Sequence, residues 1–122
     1  MLTQEELQDY CLAKEGAIKE YPFDETTVVF KVGNKMFALF DETASPIRLN
    51  LKCDPYYAQE LRMMYPYVIG GYHMNKKHWN TIICDDNADK MLILQWIDNS
   101  YELVFDALPK KTQAFILSSF QH

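Results

Sequence analysis

The stretch Thr27–Phe40 reads TVVFKVGNKMFALF, and it decides the fold class. Two runs rich in β-branched and aromatic residues, Thr27–Val32 and Lys35–Phe40, flank the dipeptide Gly33-Asn34. This arrangement is typical of a β-hairpin, because glycine and asparagine tolerate the positive φ angles of a two-residue turn. The sequence therefore predicts an antiparallel strand pair in the first third of the chain.

The turn also predicts the register of the two strands. Phe30 is expected to face Phe37, and Val28 to face Leu39, on the side that packs in the core. The other side is expected to be partly exposed. It carries Val29, Lys31, Met36 and Ala38.

Capping residues and hydrophobic periodicity predict the remaining elements. Thr3 and Glu6 form a capping-box pattern at the start of a first helix. Asp54 and Pro55 supply the N-cap and the first residue of a second. The predicted elements are a helix from Thr3 to Gly16, the hairpin, a strand from Arg48 to Cys53, a helix from Asp54 to about Tyr65, a strand from Trp79 to Cys84, a helix from about Ala88 to Ala107 and a short helix from Lys110 to Ser119.

This order of elements predicts a single α+β domain over residues 1–122, with an antiparallel sheet covered on one face by helices. Apolar residues make up 48% and charged residues 24% of the chain, which excludes a disordered tail and a collagen-like fibre.

No apolar run is long enough to span a membrane, and the first residues lack the pattern of a signal peptide. We therefore expect a cytoplasmic protein with reduced cysteines and no membrane partner. No glycine-rich phosphate fingerprint is present, so no cofactor is expected.

The formal charge of −5 is unevenly distributed. Residues 1–30 carry seven acids and two bases, residues 31–82 four acids and seven bases, and residues 83–122 six acids and three bases. A basic centre between acidic ends bears on the partners of the protein rather than on its fold.

The residues 72–81 read YHMNKKHWNT and include no acid. Lysines neutralise phosphates, aromatic rings stack on bases and asparagine amides read base edges. The alternating strand from Arg48 to Cys53 puts Arg48, Asn50 and Lys52 on one polar face, and this face can extend the basic surface together with Lys31. The alternative is a solvated loop whose aromatic residues dock into the core.

Other functions stay open on the residues alone. The acidic first helix, with Glu5, Glu6 and Asp9, can contact a cationic protein partner. A small-ligand pocket or enzyme site can form around His73 and His78, since imidazoles titrate near neutrality. The spacing of these two histidines does not bring both rings to one side of a helix or a strand, so no metal site is expected.

Cys53 directly precedes the predicted helix start at Asp54-Pro55. Amide groups at such a position can lower the pKa of a thiol. The simpler interpretation is a small buried hydrophobic side chain.

Four segments together resemble the MmcQ/YjbR family of small bacterial proteins. They are Phe30–Leu39 (FKVGNKMFAL), Leu49–Pro55 (LNLKCDP), Gly71–Thr81 (GYHMNKKHWNT) and Leu108–Lys111 (LPKK). The resemblance implies a CyaY-like α+β fold described as a double wing. It also implies DNA binding, which for this family rests on fold analogy.

The sequence thus predicts a domain that binds DNA or another polyanion through a basic and aromatic face, without catalysis of its own. Phosphate contacts are assigned to lysines and an arginine. Stacking or packing is assigned to Tyr72, His78 and Trp79, and a polar contact to Asn80. The predicted contact residues are Lys31, Arg48, Lys52, Tyr72, His73, Lys76, Lys77, His78, Trp79, Asn80, Lys110 and Lys111.

Overall fold

The computed structural model of the chain describes residues 2–71 and 74–120. Its four helices and six strands follow one another in an α+β order, with four consecutive strands after the first helix and two consecutive helices at the end. They are α1 (Gln4–Leu12), β1 (Ile18–Glu20), β2 (Thr27–Val32), β3 (Lys35–Asp41), β4 (Ile47–Lys52), α2 (Pro55–Met64), β5 (Val68–Gly70), β6 (Trp79–Cys84), α3 (Lys90–Asp106) and α4 (Lys110–Phe120).

The strands form a six-stranded sheet in the order β1-β2-β3-β4-β6-β5, and every neighbouring pair is antiparallel. The main core cluster contains residues from all four helices and from one side of the strands. The helices therefore cover one face of the sheet, and the predicted fold class is confirmed. We call the other side of the sheet its open face.

The hairpin of β2 and β3 has the predicted turn. Gly33 and Asn34 both have positive φ angles, 55° and 66°, as the turn requires. A β-bulge shifts the register, so that Phe30 pairs with Ala38 and Lys31 with Met36. The predicted pairing of Phe30 with Phe37 is wrong, because Phe37 is the extra residue of the bulge.

The pairing of Val28 with Leu39 is wrong for the same reason, since Val28 pairs with Phe40. The bulge directs both Phe37 and Ala38 into the main core, where each is fully buried. The expectation that Val29 and Ala38 are partly exposed fails as well. Val29 and Leu39 lie on the open face but are buried with Trp79 in a second, smaller cluster.

Two short edge strands, β1 and β5, were not predicted. Each has three residues, which is too short for an alternating pattern to be recognised. The helix starts at Thr3 and Asp54 were predicted, and both side chains accept hydrogen bonds from the first amides of their helices. The helix α3 begins at Lys90 with Asp89 as its N-cap, two residues later than the predicted start at about Ala88.

Ser100, in α3, connects that helix to two strands. Its hydroxyl donates to the Phe37 carbonyl oxygen at 2.6 Å and accepts from the Lys52 amide at 2.9 Å. The side chain is fully buried, so no water can replace either bond. It satisfies backbone groups at the bulge and at the end of β4 that the ladder leaves unpaired.

We expect the substitution Ser100→Ala to lower the free energy of unfolding by about 1–3 kcal/mol, because two buried backbone groups lose their partner. Urea unfolding measures this change. Ser118→Ala is the matched control, since the Ser118 hydroxyl is exposed and bonds only within its own helix. The control should change stability by less than about 0.5 kcal/mol. Equal effects of both substitutions would contradict the bridging role of Ser100.

Candidate nucleic-acid interface

A groove of about 660 Å³ lies between α2 and the segment Asn75–His78. We call it the α2 groove. Its lining contains three cationic side chains and no acidic one. The lining residues are Pro55, Tyr56, Gln59, Arg62, Lys76, Lys77 and His78.

Arg62 attaches the segment Asn75–His78 to α2. Its Nε donates to Asn80 Oδ1 at 2.6 Å, and its Nη2 donates to the carbonyl oxygens of Lys76 and Trp79, the latter at 3.3 Å. Asn80 in turn donates from Nδ2 to the Ala58 carbonyl oxygen of α2 at 3.3 Å. All of these partners are neutral, and no ion pair found in residues 2–71 and 74–120 involves the guanidinium.

Local hydrogen bonds shape the segment itself. Asn75 Oδ1 accepts from the Lys77 amide at 2.9 Å, and the Asn75 carbonyl oxygen accepts from the amides of His78 and Trp79. The His78 carbonyl oxygen accepts from the Cys53 amide at 2.8 Å. Because the backbone is bonded at these points, the side chains of Lys76 and Lys77 are directed into solvent, where both are exposed.

Gly71 allows this segment to pack closely against β6. A Cβ atom at Gly71 would lie 2.9 Å from Trp79 Cβ and 3.0 Å from Met74 Cβ, which is closer than side chains tolerate. The Gly71 amide donates to the Trp79 carbonyl oxygen at 2.9 Å. The close approach brings Met74 onto the second cluster, over Val29 and Leu39.

No acidic residue of the described chain forms an ion pair with the lysines of the groove. Among residues 2–71 and 74–120 the structure contains three ion pairs, and their cations are Lys14, Lys31 and Lys90. Lys31 Nζ lies 3.7 Å from Glu20 Oε2, so the charge of this predicted contact residue is largely compensated. Lys76 and Lys77 keep their full charge for an external ligand.

The predicted contact residues do not meet on one surface. The register places Arg48 and Lys52 on the open face of the sheet with Lys31, whereas Lys76, Lys77 and His78 line the α2 groove. Lys110 and Lys111 are exposed at the start of α4. Tyr72 and His73 lie outside the described residues.

Trp79 and Asn80 belong to the interior. They are 9% and 2% exposed, and both amide atoms of Asn80 already have protein partners. Trp79 therefore packs in the interior, which is one of the two roles predicted for it. The polar contacts of Asn80 are made within the protein, where it supports Arg62.

Sequence reasoning missed Arg62 and Tyr56. Arg62 lies outside the apolar stripe of α2, and nothing in its neighbourhood along the chain marks it as a partner of residues 76–80. Tyr56 is 81% exposed, and the sequence of the predicted helix does not show that this tyrosine is on the surface. The only available signal was that Arg62 belongs to the basic centre of the chain.

Several acidic side chains of residues 1–30 form contacts within the protein. Glu6 contacts Lys90 and the Thr3 amide, and these contacts lower the pKa of its carboxyl group. Asp24 accepts from the amides of Thr26 and Thr27, which lowers its pKa as well. This acidic segment therefore has structural roles besides any contact with a partner.

No group of three potential metal ligands among histidine, cysteine, aspartate and glutamate occurs within the described part of the chain. None of the helices there is long and apolar enough to cross a membrane.

Cys53 is not an activated thiol. Burial, together with the neighbouring Asp54 carboxylate, raises the pKa of Cys53 to about 11, and Arg62 opposes the shift. The first amides of α2 donate to Asp54 Oδ2 at 3.1 Å and so are not available to the sulfur. The idea that the helix start lowers this pKa is wrong, and the simpler interpretation of a small apolar side chain fits.

The substitution Arg62→Met tests the role of the guanidinium. We expect it to lower the free energy of unfolding by about 1.5–3 kcal/mol, because hydrogen bonds from a charged donor are lost while the aliphatic stem is kept. Arg48→Met is the matched control, since the Arg48 side chain is exposed and makes no hydrogen bond or ion pair within the described residues. If both substitutions leave urea unfolding unchanged, Arg62 does not hold the segment.

Thiol alkylation tests the state of Cys53. With a pKa of about 11 against an ordinary 9.0, the thiolate population is about a hundredfold lower than in a free cysteine. Iodoacetamide at a pH of about 8 should therefore modify the folded protein slowly and the urea-unfolded protein quickly. Rapid modification of Cys53 in the folded protein would contradict this assignment.

Known proteins resemble this chain in sequence as well as in fold. The family model of YjbR matches residues 12–103. The uncharacterized protein YbdF of Escherichia coli O157:H7 is 38% identical over 93 residues, which cover 76% of each chain. The uncharacterized protein YjbR of Escherichia coli K12 is 30% identical over 116 residues, 95% of this chain and 98% of that protein.

A solved structure agrees with the whole architecture. The crystal structure of a Deinococcus radiodurans protein with a DUF419 domain superposes with a TM-score of 0.90. It is 37% identical, and the match covers 95% of this chain and 88% of that one. From the extent of the family match and the identity to these relatives, the chain belongs to the YjbR family.

Proposed function

We propose that this protein binds DNA through phosphate contacts in the α2 groove. The observation that supports the proposal is the charge of that groove. Three cations, Arg62, Lys76 and Lys77, line one concave surface, none of them has an acidic partner among the described residues, and no acid lines the surface. Such a surface neutralises phosphates, which is the main source of affinity for nucleic acids.

The three cations have different roles in the proposal. Lys76 and Lys77 are exposed and contact phosphate oxygens directly. Arg62 already donates to Asn80 and to two carbonyl oxygens, so it contributes charge rather than contacts. It also holds the backbone that carries the two lysines, which lowers the entropy lost on binding.

Tyr56 adds an aromatic surface next to the phosphate contacts. Its ring is 81% exposed at the first turn of α2 and lines the same groove. An exposed ring beside cations is a stacking platform for an unpaired base. The proposal therefore favours single-stranded or locally unpaired DNA over a regular duplex.

The proposed binding is not sequence-specific. Side-chain amides read base edges, yet both amide atoms of Asn80 are occupied inside the protein. The net charge of −5 opposes the approach of a polyanion at long range. We expect dissociation constants in the range of non-specific binding, about 10⁻⁴–10⁻⁶ M at physiological salt. The proposal includes no catalytic step.

The double substitution Lys76→Ala/Lys77→Ala tests the proposal in a titration with single-stranded DNA at several salt concentrations. We expect weaker binding and a shallower dependence of log affinity on log salt, by up to about 1.4, because each lost phosphate contact on a single strand removes about 0.7 from the slope.

The matched control is Lys110→Ala/Lys111→Ala. It removes the same charge from an exposed pair outside the groove. Affinity and salt dependence should change much less in this control. Equal losses in both variants would indicate only a general effect of net charge and would refute the α2 groove as the binding site.

A further inference from the structure

A second depression, of about 630 Å³, lies on the open face of the sheet, on the other side of the segment that carries Lys76 and Lys77. We call it the sheet pocket. Met74 lines it, whereas the α2 groove is lined from Lys76 onward. Its lining residues are Phe23, Thr27, Leu39, Phe40, Asp41, Ala44, Arg48, Asn50, Met74 and Thr81.

The pocket forms where β3 and β4 separate. The two strands pair only at Ala38 with Leu51 and at Leu39 with Asn50. Beyond these pairs β3 stays paired with β2 up to Asp41, and β4 stays paired with β6 up to Ile47. The floor of the concavity is therefore held open by the two outer ladders, while Phe23, Ala44 and Met74 from the loops complete its rim.

One part of the lining is apolar. Leu39 forms the floor at 6% exposure, and Met74 packs beside it as part of the second cluster. Phe23 stands at the rim with 63% of its surface exposed. An aromatic ring exposed at the rim of an apolar floor is a surface that an apolar ligand group can cover.

The other part of the lining carries one charge of each sign. Continuing the register of the last two pairs would set Asp41 opposite Arg48 on the open face. Neither residue takes part in any ion pair among the described residues, and the Arg48 guanidinium has no hydrogen bond there. The Thr43 hydroxyl and amide donate to Asp41 Oδ1 and lower the pKa of its carboxyl group, so it is ionised near neutrality.

The polar floor next to these charges is already bonded. Thr81 Oγ1 donates to Asn50 Oδ1 at 2.6 Å, and Asn50 Nδ2 donates to the Leu39 carbonyl oxygen at 3.3 Å. These bonds fix the floor. Specific recognition then depends on Arg48 and Asp41.

We propose that the sheet pocket binds a small zwitterion with an apolar body, such as a free apolar or aromatic α-amino acid. The ligand carboxylate pairs with Arg48, its ammonium group pairs with Asp41, and its side chain covers Leu39, Met74 and Phe23. The volume lies within the range of small-molecule sites. The two charges of the lining cancel, so this site does not attract a polyanion as the α2 groove does.

Calorimetric titration with three probes that share one phenyl group tests the proposal. L-phenylalanine carries both charges, 3-phenylpropionate only the carboxylate, and phenethylamine only the ammonium group. We expect phenylalanine to bind, and each singly charged probe to bind roughly ten- to a hundredfold more weakly, because a charged hydrogen bond is lost. Absence of phenylalanine binding at about 10 mM would overturn the proposal. A singly charged probe that binds as tightly as phenylalanine would also overturn the proposal.

Two substitutions locate the site. Arg48→Gln should weaken phenylalanine binding and leave phenethylamine binding unchanged. Asp41→Asn should also weaken phenylalanine binding, but it should leave 3-phenylpropionate binding unchanged. Thermal unfolding of each variant establishes that it is folded. Lys110→Ala/Lys111→Ala is the control for loss of charge. Phenylalanine binding that survives Arg48→Gln would refute this site. None of these measurements depends on DNA binding, so they test this proposal separately from the proposed function.

Discussion

The hydrogen bonds of the Arg62 guanidinium are the constraint on which the functional part of this structure depends. They join α2 to the segment before β6 through Asn80 and two backbone carbonyl oxygens. A buried or half-buried cation is stable only when its donors are satisfied. Here neutral oxygens accept from Nε and Nη2, so the segment is held in place while the positive charge remains available to the groove.

This segment separates two surfaces with different charge. On one side Lys76 and Lys77 face α2, where no acid lines the groove. On the other side Met74 covers the second cluster and borders a pocket whose Arg48 and Asp41 cancel in charge. One fixed backbone thus supports both a surface suited to phosphates and a surface suited to a small ligand. The charge of each surface depends on whether the fold places acidic side chains in its lining.

Elsewhere several acids of the chain compensate its bases. Glu6 contacts Lys90, Glu20 lies near Lys31, and Asp98 contacts Lys14 and accepts from the Tyr10 hydroxyl at 2.8 Å. The net charge of −5 is therefore a poor guide to any single surface. An acidic protein can carry a basic groove when its cations there are left without partners.

The sequence by itself determined the fold class, the hairpin turn at Gly33-Asn34, the caps at Thr3 and Asp54 and the family, because these depend on residues that are neighbours along the chain. Only the tertiary structure decided the bulge at Phe37 and the partners of each cation. Lys31 and Lys76 look alike in the sequence, yet one lies beside a carboxylate and the other does not. Such pairing depends on distances across the fold, and these are set by packing of the whole core rather than by local sequence.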